Sequence, residues 1–545
     1  MVIKEGQIVS DTDGKINRMS TPDFDVYYKG LLFVSGKRTG QQSIEYILTK
    51  LQKTGEFNFL KFFGFFFIYI VERKTGKQYV FTDNSGIFKA YCYNGCISTS
   101  FLELLDYSGE LTIDNLDYRS ISEFFHFGFT YFDNTLLTDI KRIDGDDFFI
   151  MENGVNLRKR KGIGTIDQAS GIKVEDFFVD LIYAVEGKEV SLDITGGFDS
   201  RLILSFFIKA KSAFELAISG LAHNSDIRIS KKNAAKIGKE FFPYFHSGKQ
   251  LSIDEFCDIF SKTDSQLDIV DFNRNHRFNM ERLSRGVEIQ ISGAGGELYK
   301  DFWWLQDFPF YNRKKTRLRN LYKLRIESTS FPHFLLGEKL MEYSLKLRET
   351  TILKLKSLLL KRNTESYDNI YFNYKMKTNA GVYISVTNNY FFSYAPLLEM
   401  ELIRIGFNLK RKERFFNNFH RKLISGNCPD ISTIETTEGT TASSSYADII
   451  IDIFGYVIDK IKRLLKQLAR KILKKTYFQE SPTDNQVYEY VRNNPSFLRY
   501  VDLLKDHDIL AFNVNINKLP ELFIGRILTI GLLIERINNR NCQDK

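Results

Sequence analysis

Ser191-Leu192-Asp193-Ile194-Thr195-Gly196-Gly197-Phe198-Asp199-Ser200-Arg201, followed by the apolar run Leu202 to Ile208, constrains this chain more than any other stretch. A strand ending at Ile194, two glycines to turn the backbone and a helix opening near Asp199 make a strand-turn-helix unit. Such a unit puts small residues and orphan N–H groups at a helix N-terminus, where donors and helix dipole stabilise a phosphate. Glycine suits the turn because a side chain would hold the phosphate off the backbone. Thr195 and Ser200 can add hydroxyl donors, and Asp199 is placed to hold a Mg²⁺ that bridges phosphate oxygens. No GxxxxGK followed by Ser or Thr occurs, so the γ-phosphate-transferring P-loop is excluded.

The rest of the chain divides around this unit. At 545 residues, 43% hydrophobic and 26% charged, it is long enough for two or three domains. Up to about residue 165 the pattern is β-rich: Val26 to Val34, Phe62 to Val71, Gln78 to Thr82 and Phe148 to Met151, punctuated by Thr75-Gly76 and Asn153-Gly154. From about 175, strand-like runs at Val190 to Ile194, Phe214 to Ser219 and Val287 to Ser292 alternate with helical stretches, which predicts a parallel sheet. Beyond about 310 the chain reads as helical, interrupted by the polar loop Ile434 to Ser445.

The net charge of +9 is spread over 76 basic and 67 acidic residues, with no nucleic-acid-binding module, which argues against nucleic acid as a partner. Five scattered cysteines and seven histidines show no metal-ligand spacing. Without a signal peptide or a bilayer-length apolar run, a cytoplasmic location is expected.

The turn resembles the SGGxDS pyrophosphate loop of the asparagine synthase family, whose relatives include β-lactam synthetase and lasso-peptide cyclases. Three further segments follow in the family's order: Ser219-Gly220-Leu221 with Asn224-Ser225-Asp226, then Ile291-Ser292-Gly293-Ala294-Gly295-Gly296-Glu297, then Ala395-Pro396-Leu397-Leu398-Glu399-Met400-Glu401-Leu402. The resemblance implies an α/β fold: an N-terminal Ntn-hydrolase-like sandwich (1–165), a PP-loop ATP pyrophosphatase domain (166–440), and a helical C-terminal extension packed on it (441–545). It also implies ATP and Mg²⁺ as cofactors, and transfer of AMP to a carboxylate with release of pyrophosphate, followed by displacement of AMP by an amine. Thr195, Gly196, Gly197 and Ser200 would cradle the pyrophosphate; Asp199 and Glu297 would hold the metal; Ile194, Ser219, Ser292 and Gly293 would contact the nucleotide.

The N-terminal segment is similar to the family's glutaminase domain at Phe63 to Gly76, Thr82 to Ile87 and Leu136 to Gly154. That domain uses an N-terminal cysteine and an Asn-Gly-Glu; here Met1-Val2 and Lys29-Gly30-Leu31 stand in their places, so glutamine hydrolysis is not expected. Asp83 reads as a turn residue. The amine must come from ammonia, a separate glutaminase partner or the substrate itself. In the synthetase half, the family's base falls on Ala294 and its catalytic lysine on Thr437, a loss that costs on the order of a hundredfold to a thousandfold in rate. Arg421 or Lys422, just upstream, is a candidate replacement cation and Glu399 a candidate replacement base, although an ordinary helix-surface role for the cations and a capping or pairing role for the glutamate are the more common cases.

A non-catalytic nucleotide-binding scaffold and an intramolecular cyclase stand as alternatives to the ligase. Ile458, Ile461, Leu464, Leu465, Leu468 and Ile472 recur at helical spacing among basic residues over 458–475. This stripe reads as a helix packed on the core with a solvated basic face; peripheral contact with an anionic membrane is the alternative.

Overall fold

Five strands form one wholly parallel sheet, in the spatial order Phe241–Phe245, Glu215–Gly220, Val190–Asp193, Ile289–Ile291, Phe392–Tyr394. The chain enters at the central strand, steps outward twice, then returns to build the other side. The reversal falls between Val190–Asp193 and Ile289–Ile291, and in open α/β sheets ligands bind outside the carboxyl ends of the strands at such a point. Leu192 pairs with both Leu216 and Ile291, so Val190–Asp193 and Ile289–Ile291 end nearly level while Glu215–Gly220 runs three residues past Ala217. Periodicity reveals those three. The two edge strands escape it because they are short and aromatic, and Pro243 sits where a missing ladder N–H is tolerated.

The computed structural model describes residues 1–545 apart from 5–6, 11–14, 153–154, 161, 246–251, 301–314, 328–330, 438, 456, 459–460, 462–484 and 544–545. The turn expected at Asn153-Gly154 therefore lies outside the described residues. Ahead of the parallel sheet the described residues form antiparallel sheets of six, five and three strands, so the molecule is a mixed α/β protein with antiparallel and parallel sheets and many helices. The helix Gly40–Thr54 closes a small core against the six-stranded sheet through Ile44, Ile47 and Leu48.

Two runs expected to be single strands each divide at a glycine. Phe24–Gly30 passes into Phe33–Val34, and Phe62–Phe63 into Phe66–Glu72. Gly30 and Gly64 both adopt φ near +100°, and a Cβ on either would lie 2.2 or 2.0 Å from a carbonyl oxygen of the opposing chain, Phe65 or Leu31. Two extended chains cross here with no room for side chains, and the kink lets each strand pair serve two sheets. It also carries Phe33, Phe63 and Phe65 against Phe177 and Tyr394, with ring centroids 4.7 to 6.2 Å apart, joining both halves in one core.

The last helix, Glu521–Gln543, packs on both halves. Arg526 donates to Phe125 O, Arg536 pairs with Asp106, and Arg540 donates to Leu105 O and Leu111 O, so three guanidiniums bind the N-terminal segment. Among the described residues, no helix is long and apolar enough to cross a membrane. On the helix over 446–455, Ile450, Ile451 and Phe454 are exposed; of the stripe expected to pack over 458–475, Ile458 and Ile461 are exposed as well. Its acidic face, Asp448 and Asp452, binds the protein instead. Leu464, Leu465, Leu468 and Ile472 lie outside the described residues.

Candidate active site

The glycine turn stands at the switch point. Ile194 is buried and continues the ladder to Ala217 O; the helix Phe198–Lys209 then begins at Gly197, with no side chain capping its N-terminus. The helix after the neighbouring strand, by contrast, is capped by Asn224. An uncapped first turn leaves its N–H groups to a ligand. Within the turn, Thr195 N and Gly197 N donate to Ser200 Oγ (3.0 Å) and Thr195 Oγ1 (3.3 Å), and Gly196 N donates to Asp226 Oδ1 (2.8 Å). One donor of the turn thus already holds a carboxylate oxygen.

The strand end at Ser292 closes the other side. Ser292 N donates to Tyr394 O, and Gly293 lies so close to the helix that a Cβ would be 2.7 Å from Ser200 N. Gly296 is equally tight against Asp199, where a Cβ would lie 2.0 Å from the carboxyl carbon. The sequence motifs at 195–200 and 292–297 are therefore one structure, and Asp199 abuts the residue that precedes Glu297. Ser219 occupies the neighbouring strand, paired in register with Tyr244.

Two residues that carry no sequence signal complete the site. Lys300 Nζ lies 2.9 Å from Asp199 Oδ2, and Nε2 of the buried His420 lies 2.9 Å from Asp199 Oδ1. Burial alone would push the Asp199 carboxyl up, but Lys300 and His420 outweigh it and hold the group at about 2. The Tyr371 hydroxyl donates to Glu297 Oε2 (2.5 Å) from the first turn of a π-helix, Tyr371–Ala380. Burial and the Glu297 charge both drive its pKa up, so it remains a donor.

A loop roofs the turn. Thr437 N donates to Gly196 O (3.0 Å), so Thr437 sits over the glycine pair. Buried Arg201 donates to Ile431 O, Ile434 O and Glu435 O, while Arg421 donates to Phe416 O, Thr441 O and Ser443 O and pairs with Asp452. Arg421 is thus a fastener of the loop, with its donors occupied; Lys422 is exposed.

Glu399 is not among the groups gathered at the turn. It is buried, and Oε2 accepts from Gly64 N and the Tyr394 hydroxyl, both at 2.9 Å, at the junction of the two halves. Burial pushes its carboxyl up to about 8, with the Asp83 charge adding to the shift. Asp83 itself accepts from Ser85 N, Ile87 N and Phe88 N, capping its own turn. Lys29 is buried beside a cavity of only ≈ 10 Å³ that it shares with Lys89, Asp264 and Asn389, about the room of one water.

Among the described residues no group of three or more His, Cys, Asp or Glu could hold a metal ion unaided. Asp199 and Glu297 nonetheless suit Mg²⁺, which takes one or two carboxylates and completes its shell with phosphate oxygens and water. The Lys300 ammonium on Asp199 shows that the position accepts a cation. No protein-family model matches this chain, and no curated protein matches it.

Proposed function

We propose that the chain binds ATP at the glycine turn and uses it to adenylate a carboxylate, as an asparagine-synthase-like, amide-forming ligase without glutaminase activity. The observation that carries this reading is the uncapped helix N-terminus at the switch point of a parallel sheet, with the 292–297 strand end packed against it. On this reading the parallel-sheet half is a PP-loop pyrophosphatase fold and the N-terminal half an Ntn-like sandwich. ATP supply and the thiols of Cys92 and Cys428 suit the cytoplasm.

A carboxylate cannot expel oxide, so it is activated first. Its oxygen attacks the α-phosphorus, the bond to the bridging oxygen breaks, and pyrophosphate leaves with the electron pair. The amine then attacks the acyl carbon, AMP departs, and the amine's proton passes to solvent or a neighbouring base. Turn N–H groups, Thr195 and Ser200 would bind the pyrophosphate, and Gly293 would let it approach. Mg²⁺, held by Asp199 and Glu297, would neutralise charge on the phosphate oxygens. Lys300 lies close enough to add positive charge where the family uses a lysine in place of Thr437.

A second reading, a nucleotide-binding scaffold, is favoured by Thr437 and by the Lys300 ammonium already seated on Asp199 Oδ2. ATP–pyrophosphate exchange across a panel of amino, sugar and peptide carboxylates separates the two. Carboxylate-dependent label exchange is expected for the ligase, whereas nucleotide binding with no exchange for any acid would leave the scaffold.

A further inference from the structure

The helix over 446–455 is amphipathic in the reverse sense to a packed surface helix. Its acidic side faces the protein: Asp448 accepts from the Thr441 hydroxyl (2.7 Å), and buried Asp452 accepts from Thr440 N (2.6 Å) and pairs with Arg421. Its apolar side faces outward. Tyr446 is 85% exposed, Phe454 65%, and Ile450, Ile451, Val457, Ile458 and Ile461 about half. Positions 446, 450, 454, 457 and 461 recur at helical spacing, so these exposures form one stripe and not scattered surface residues.

The sequence that follows carries eight Lys or Arg and no Asp or Glu between 460 and 475. We infer that this stripe is a docking face for an anionic lipid bilayer, with the helix lying in the headgroup region. Apolar contact supplies the non-specific part of the affinity, and basic residues next to it in sequence are drawn to a negative surface. A second copy of the chain fits poorly, because the sequence that follows the helix would add the same eight positive charges a second time. Arg421 joins Asp452 to the Thr441 and Ser443 carbonyls, so the docking helix is fastened to the loop that roofs the glycine turn. Docking would hold that turn near the lipid surface, yet the inference stands whether or not the turn binds ATP.

The test is flotation of the full chain with vesicles of phosphatidylcholine alone or with about a third phosphatidylglycerol. The protein should float with the anionic vesicles only and be released by salt, and the Ile450→Glu, Phe454→Glu double variant should stay at the bottom. Both side chains are exposed, so the circular dichroism of the variant should match the parent. As an independent readout, Phe454→Trp should shift its emission to the blue on anionic vesicles. Failure of the parent chain to float, flotation unchanged in the double variant, or an unshifted Phe454→Trp spectrum would overturn the inference. So would a dimer, or capture by an acidic protein, that the double variant abolishes without any lipid effect.

Discussion

Glu399 shows how a single side chain reports on its surroundings. The unfolded chain ionises it from about pH 4.5 upward, while the buried group keeps its proton to about pH 8. Its contribution to folding is therefore greatest at low pH and is lost as pH rises between those values. Glu399→Gln keeps an oxygen for Gly64 N and Tyr394 while removing the ionisation. Denaturant titration should show little difference near pH 4.5 and a gain on the order of 3 kcal/mol near pH 8; parallel pH profiles would contradict this. Asp199 and Glu297 were legible because they sit in strand-end motifs with glycines. Lys300 and His420 were not, because each reaches Asp199 through tertiary contact and a lone histidine has no spacing to read.

At the scale of elements, the roof over the turn depends on two buried arginines. Arg201 makes its three carbonyl bonds through a planar fork that lysine cannot reproduce. Arg201→Lys should cost about 3 kcal/mol in thermal or denaturant unfolding and weaken ATP affinity, because Thr437 loses its seat on Gly196. Unchanged affinity would mean that the loop takes no part in the site. Thr437→Lys tests the same roof in the other direction. An ammonium over the glycine pair should raise pyrophosphate exchange by about tenfold or more. The central strands and the helix at Phe198 followed from periodicity and turn chemistry. The kinks at Gly30 and Gly64 did not, since an unbroken apolar run gives no sign of where two chains must cross. Periodicity likewise marks an apolar face but not its direction: over 446–455 that direction is set by Asp448 on the Thr441 hydroxyl and by Asp452 on Thr440 N and Arg421.

At the scale of the molecule, the N-terminal half shares one hydrophobic core with the parallel-sheet half. Lys29 beside a cavity of ≈ 10 Å³ and Asp83 capping its own turn leave little room for glutamine there, and the full chain should release no glutamate from glutamine. Binding of ATP at the glycine turn is what the whole account rests on, and titration calorimetry of the full chain with ATP, with and without Mg²⁺, tests it most directly. Saturable, Mg²⁺-dependent binding is expected, weakened at least tenfold in Asp199→Asn while the protein stays folded. No heat of binding in the parent chain, or equal affinity in Asp199→Asn, would contradict it.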